Sequence, residues 1–141
     1  MIRVLLIDDE KEATDLLANL LAQWDDISVI DKAHNSSAAL KAFLKHRPDI
    51  VFLDIQMPGK TGFELLETLD NVPQVIFTTA DDEFALKAFE VNALDYLLKP
   101  IQPERLKESV AKLPDPKVEQ EVRSSKLTLD DQVFVKDGDK C

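Results

Sequence analysis

Cysteine is nearly absent from this sequence of 141 residues: there is one, and it is the last residue, Cys141. A single thiol forms neither a disulfide framework nor a cysteine metal site within one chain. Basic residues are also in short supply, 17 against 27 acidic ones, for a formal net charge of -10. Gripping nucleic acid or an anionic membrane takes clustered Lys and Arg, so this chain is not expected to do either by itself. Long apolar runs are missing too. The N-terminal one, Val4 to Ile7, is too short for a signal peptide or a spanning helix. What is present is a globular balance, 45% hydrophobic and 31% charged, in a length that buries roughly two thirds of its unfolded surface and folds without staples. The expectation is a soluble, cytoplasmic protein of one domain with a short appendage.

Apolar runs alternate with helical patterns as far as residue 113. The spacing predicts strands at Ile2–Ile7, Ile27–Ile30, Ile50–Leu53, Val75–Thr79 and Leu94–Leu98. Three of these contain unbroken apolar stretches (Val4 to Ile7, Ile50 to Leu53, Val75 to Phe77), as in strands buried on both faces of a parallel sheet. Between them, Ala13, Leu16, Leu17, Leu20, Leu21 and Trp24 recur at helical spacing. A second helix, capped from Asn35-Ser36-Ser37 and stopped before Pro48, is expected to bury Leu40, Phe43 and Leu44. Others are predicted over about Gly62 to Leu69, about Glu83 to Glu90, and from Pro103 with Leu106 and Val110 inward. Five β–α repeats make an α/β fold, a doubly wound five-stranded parallel sheet flanked by five helices. After Leu113 the composition shifts. Residues 114–125 read as a polar linker, and residues 126–141 as strand material opening a second, incomplete domain.

In a sheet of this kind ligands bind at the carboxyl ends of the strands. Those ends carry Asp8-Asp9-Glu10, Asp54, Thr78-Thr79 and Lys99-Pro100. Each has an ordinary reading alone: acids starting a helix, a β-branched strand residue, a surface lysine. Together they gather like charges that would repel by about 4 kcal/mol at ~4 Å and an effective dielectric of ~20, so a cation is expected among them. A few oxygen ligands fit Mg²⁺ that keeps part of its water.

Four stretches, Val4-Leu5-Leu6-Ile7-Asp8-Asp9-Glu10, Leu53-Asp54-Ile55-Gln56-Met57-Pro58-Gly59, Phe77-Thr78-Thr79-Ala80 and Asp95-Tyr96-Leu97-Leu98-Lys99-Pro100, resemble the receiver domain of bacterial two-component response regulators, in order over residues 1 to about 113. The resemblance implies the strand order 2-1-3-4-5. It also implies that Asp54 accepts a phosphoryl group from a sensor histidine kinase. Asp8, Asp9, Asp54 and the backbone carbonyl of Gln56 would then hold Mg²⁺. Lys99, Thr79 and the backbone of Ala80 would bind the phosphoryl oxygens, and Thr79 and Tyr96 would form the switch. If the register were off by one, Thr78 and Thr79 would exchange roles. Thr79 drawn inward is expected to leave space for Tyr96, and the face of the fourth helix, fifth strand and fifth helix to form a homodimer. No enzyme activity is implied beyond self-phosphorylation and slow autodephosphorylation. The run Phe84 to Tyr96 and the tail Val133 to Cys141 resemble the LytTR subfamily, so DNA would be bound only through the missing output domain. Residues 1–113, 114–125 and 126–141 would be receiver, linker and the start of that output domain.

Two other classes fit less well. A phosphatase of the haloacid dehalogenase type needs an Asp two residues after its nucleophile, where this chain has Gln56 (and Glu10 after Asp8). A flavin mononucleotide carrier needs a Ser/Thr/Gly-rich loop after the first strand, where Asp8-Asp9-Glu10 would repel the phosphate. A stand-alone receiver acting by protein contact is the nearest alternative. His34, His46, Trp24, Gly59 and Gly62 carry no functional expectation.

Overall fold

The computed structural model describes residues 1–113; the linker and output-domain expectations, at 114–141, lie outside the described residues. The elements are β1 (Ile2–Ile7), α1 (Lys11–Leu21), β2 (Ile27–Ala33), α2 (Ser36–His46), β3 (Ile50–Asp54), α3 (Gly62–Glu67), β4 (Gln74–Thr79), a 3-10 turn (Asp82–Phe84), α4 (Ala85–Glu90), β5 (Asp95–Leu98) and α5 (Pro103–Ala111). The strands form one sheet in the order β2-β1-β3-β4-β5, and every pair is parallel. This is the expected doubly wound α/β receiver-type architecture.

Alternation along the strands divides the core in two. Leu5, Ile7, Val51, Leu53, Val75 and Phe77 face α2, α3 and α4, which contribute Ala39, Ala42, Phe43, Phe63, Leu65, Leu66 and Ala88. Val4, Leu6, Ile50, Phe52 and Ile76 face α1 and α5, which contribute Leu17, Leu21 and Leu106. Each Val, Leu, Ile or Phe side chain among these contributes about 1.5–3 kcal/mol when fully buried. Two helical expectations change in detail. Leu16 and Leu44 are exposed; on α2 Phe43 is buried as expected and Leu40 is half-buried, while Ala39 and Ala42 take the remaining contact, because small residues let the helix lie closer to the sheet. The strand at Ile27 runs on through Asp31-Lys32 to Ala33, since β1 continues to pair with it after a bulge opposite Val4/Leu5.

Local signals set the helix ends. The Asn35 side chain accepts from the Ala38 N–H at 2.7 Å, and α2 ends at Arg47 in the left-handed region, just before Pro48. Thr61 and Glu64 form a reciprocal capping box at α3, and Pro103 occupies the first turn of α5.

The outer edge of β5 is closed by side chains. Asp95, 6% exposed at its side chain, takes a two-pronged pair from Arg105 at 2.7 and 2.9 Å. It also accepts from the Ser109 hydroxyl and pairs with Lys112 at 3.3 Å. The Tyr96 N–H donates to Asp95 at 2.8 Å, and the Tyr96 carbonyl accepts from Arg105 at 3.1 Å. Burial works to raise the Asp95 carboxyl, but the hydrogen bonds from Arg105, Ser109 and the Tyr96 N–H outweigh it and hold it well below the usual carboxylate range.

Candidate functional site

The parallel sheet delivers its strand ends to one edge, and the acidic residues meet there. Asp54 closes β3 and Asp8 follows β1; one carboxylate oxygen from each of Asp8, Asp9 and Asp54 lies within 4.8 Å of the others. Asp8 and Asp54 are buried while Asp9 is exposed. The Lys99 ammonium, carried just past β5, stands 2.6 Å from Asp8 and 3.5 Å from Asp54. The backbone helps: the Gln56 N–H donates to Asp54 at 3.2 Å, and the Glu10 N–H to Asp8 at 2.9 Å.

One lysine faces three carboxylates, and the imbalance shows in the titration of Asp54. Burial first, and the Asp8 charge second, push its carboxyl up to about 7, against the pull of Lys99 and the Gln56 N–H. Lys99 is raised as well. Burial would lower it, but its contacts with Asp8 and Asp54 raise it above the ordinary lysine range. The site is therefore short of positive charge. Its donor set is entirely oxygen, which suits a hard cation. In a magnesium octahedron adjacent oxygens lie about 3 Å apart and opposite ones about 4 Å, and here the three carboxylate oxygens already lie within 4.8 Å of one another. The residues fit Mg²⁺.

Strand alternation separates the two threonines. Thr78 sits beside Asp54 in the ladder and lines a groove with Leu17, Phe52 and Pro100 on the α1 side. Thr79, fully buried, donates its hydroxyl to the Gln56 side-chain oxygen at 3.2 Å and accepts from the Asp81 N–H at 3.2 Å. Tyr96 pairs with Phe77 across β4 and β5 and packs against the α3/α4 side of the core. Its hydroxyl donates to the Asp81 carbonyl. Ala80 borders an open cavity with Gln56, Asp81, Leu98 and Lys99.

Three features of the site escaped sequence reasoning. The Gln56 side chain reaches Thr79, although only its backbone was expected to matter. Arg105 secures the strand carrying Tyr96. Gly62, read as an ordinary helix-start glycine, lies against the end of β3: a Cβ there would fall 2.7 Å from the Asp54 carbonyl oxygen and 3.1 Å from the Leu53 side chain. The signal available was its place, eight residues after Asp54, among only three glycines.

Residues 4–111 match the family model of the response regulator receiver domain. The chain belongs to that family. It is 52% identical over 115 residues to an uncharacterized response regulatory protein of Vibrio cholerae, spanning 80% of this chain and 48% of that one. It is 40% identical over 138 residues to the sensory transduction protein LytT of Bacillus anthracis, spanning 92% and 56%. The response regulatory domain of mrkE from Klebsiella pneumoniae superposes with a TM-score of 0.72 at 30% identity, covering 79% of this chain and 94% of that one. This chain thus spans about half the length of the curated relatives it matches. Among the described residues no helix is long and apolar enough to cross a membrane.

Proposed function

We propose that this receiver domain, in the cytoplasm, takes a phosphoryl group onto Asp54 from a sensor histidine kinase, in a Mg²⁺-dependent step, and uses it to switch a transcriptional output. The observation that carries the reading is a buried carboxylate, 4% exposed at its side chain, crowded by two other carboxylates with a single lysine in reach. No fold gathers those charges for stability.

The ionised Asp54 oxygen needs no general base to attack phosphorus. A bond forms between that oxygen and phosphorus while the phosphorus–nitrogen bond of the donor breaks, its electron pair leaving with the imidazole. The remaining work is alignment and charge neutralisation. Lys99 is placed to accept the phosphoryl oxygens as ion-pair partners, and the Gln56 N–H orients the acceptor. Asp8, Asp9, Asp54 and the Gln56 carbonyl would hold Mg²⁺, which when bound keeps Asp54 ionised and offsets phosphoryl charge. The Thr79 hydroxyl and the backbone at Ala80 then receive the new oxygens. The chemistry is confined to the domain's own aspartate, without turnover of another substrate.

The likeness to LytT extends over 92% of the chain, more than residues 1–113 supply, and this supports a LytTR-type DNA-binding output beyond the receiver. Leu86 and Phe89 on α4 are 70% and 79% exposed, and Leu98 on β5 is 45% exposed. Such an apolar face supports homodimerisation through α4, β5 and α5, read as a shift in sedimentation after phosphorylation.

Intact mass after incubation with acetyl phosphate and Mg²⁺ tests the central step. The native chain should gain one phosphate; Asp54→Asn, or the native chain with EDTA, should gain none. Phosphate on Asp54→Asn would move the acceptor elsewhere.

A further inference from the structure

The Thr79 hydroxyl has one proton, and in this structure the proton is in use. Thr79 is 0% exposed, so no water competes for it; its hydroxyl donates to the Gln56 side-chain oxygen at 3.2 Å. Its lone pairs already receive the Asp81 N–H at 3.2 Å. A hydroxyl donates once. If Thr79 is to donate to a phosphoryl oxygen on Asp54, it must first leave Gln56.

Gln56 is built to release it. Its side chain is exposed, so its amide oxygen exchanges Thr79 for water at little cost, whereas Thr79 can leave only for another buried acceptor. The same residue touches both ends of the exchange, because its backbone N–H holds Asp54 at 3.2 Å. Length matters as well. Asparagine, about 1.5 Å shorter, would leave the Thr79 hydroxyl beyond hydrogen-bond reach.

We propose that the Gln56 side chain is a positioning residue that holds the Thr79 hydroxyl in the unphosphorylated domain and thereby sets how readily the site takes a phosphoryl group. The proposal rests on the reading of Asp54 as the acceptor and of Thr79 as its hydroxyl partner. Removing the amide leaves a buried hydroxyl unpartnered only in the unliganded state, so it favours the liganded one.

The test is a titration of the full chain with beryllofluoride, a phosphoryl mimic, at saturating Mg²⁺, followed by fluorine NMR. Gln56→Ala should tighten binding roughly two- to tenfold, the span of one hydrogen bond. Gln56→Asn should shift it in the same direction. In a Thr79→Val background, Gln56→Ala should change nothing. Weaker binding by Gln56→Ala, or a change of equal size in the Thr79→Val background, would overturn the proposal by showing that Gln56 acts on the ligand directly. Failure of the native chain itself to bind beryllofluoride would overturn the reading of Asp54, and this proposal with it.

Discussion

Asp54 and Asp95 are the same side chain at nearly the same depth in one sheet, 4% and 6% exposed, yet their protons behave oppositely. Asp54 is pushed up to about 7 by burial and by Asp8. Asp95 is held well below the ordinary range, because Arg105, Ser109 and the Tyr96 N–H outweigh its burial. The difference lies in partners, since burial acts in the same direction on both. Asp95 has a guanidinium clasped on both oxygens and a second cation at 3.3 Å. Asp54 has one lysine at 3.5 Å, and that lysine lies closer to Asp8. Asp95 ties α5 to the sheet. Asp54 is kept at the expense of stability, which is how carboxylates used for chemistry are commonly found.

The comparison breaks most sharply by making the same substitution at both places. Asp95→Asn should cost about 2–3 kcal/mol in urea unfolding, because it removes the charge that the Arg105 and Ser109 hydrogen bonds serve. Gly62→Ala comes next, at about 1–3 kcal/mol, since the backbone carbonyl of Asp54 must move to admit the methyl group. On the proposed function it should also slow phosphorylation by acetyl phosphate, and normal kinetics in this variant would show that α3 does not position Asp54. Asp54→Asn should act in the opposite sense to Asp95→Asn, stabilising the Mg²⁺-free domain by about 1–2 kcal/mol. Equal destabilisation at the two aspartates would erase the distinction drawn between them.

Acid and metal sharpen the contrast with smaller effects. The folded domain keeps a proton on Asp54 up to about pH 7, while the unfolded chain releases it near pH 4. Ionisation of Asp54 therefore removes stability as pH rises from about 4 to about 7. For Asp95 the sign reverses: its contribution is present above about pH 4 and is lost as pH falls below that. The stability gap between the native chain and Asp54→Asn should therefore widen from pH 5 to pH 8 without Mg²⁺. Magnesium at ten times its dissociation constant should add about 1.4 kcal/mol to the native chain and much less to Asp54→Asn. A gap independent of both pH and Mg²⁺ would contradict the charge imbalance at the site.

The strand ends were legible because they depend on pattern. Val4 to Ile7 and Ile50 to Leu53 read as strands buried on both faces, and a parallel sheet brings their carboxyl ends together, so Asp8, Asp9, Asp54 and Lys99 were found from order alone. Helix faces were less legible: α1 exposes Leu16 and α2 exposes Leu44, because periodicity marks an apolar stripe without saying how much of it the sheet covers. The Glu83–Glu90 pattern folds as a 3-10 turn and a short α4, a division no spacing announces. Contacts between distant elements were not legible. Arg105 meets Asp95 ten residues away, and Gln56 meets Thr79 across two strands, through rotamers that only the packed sheet decides.

The bonds around Tyr96 also govern what can join this sheet. An outermost strand normally leaves amide and carbonyl groups open, a template on which a foreign strand can extend the ladder. At β5 those of Tyr96 are occupied by Asp95 and Arg105, and at the opposite rim β2 presents the exposed charges of Asp31 and Lys32. Both rims are thus defended against strand addition, one by occupied hydrogen bonds and one by charge. A partner has to recognise this domain by its side chains, because the backbone at either rim is guarded against pairing.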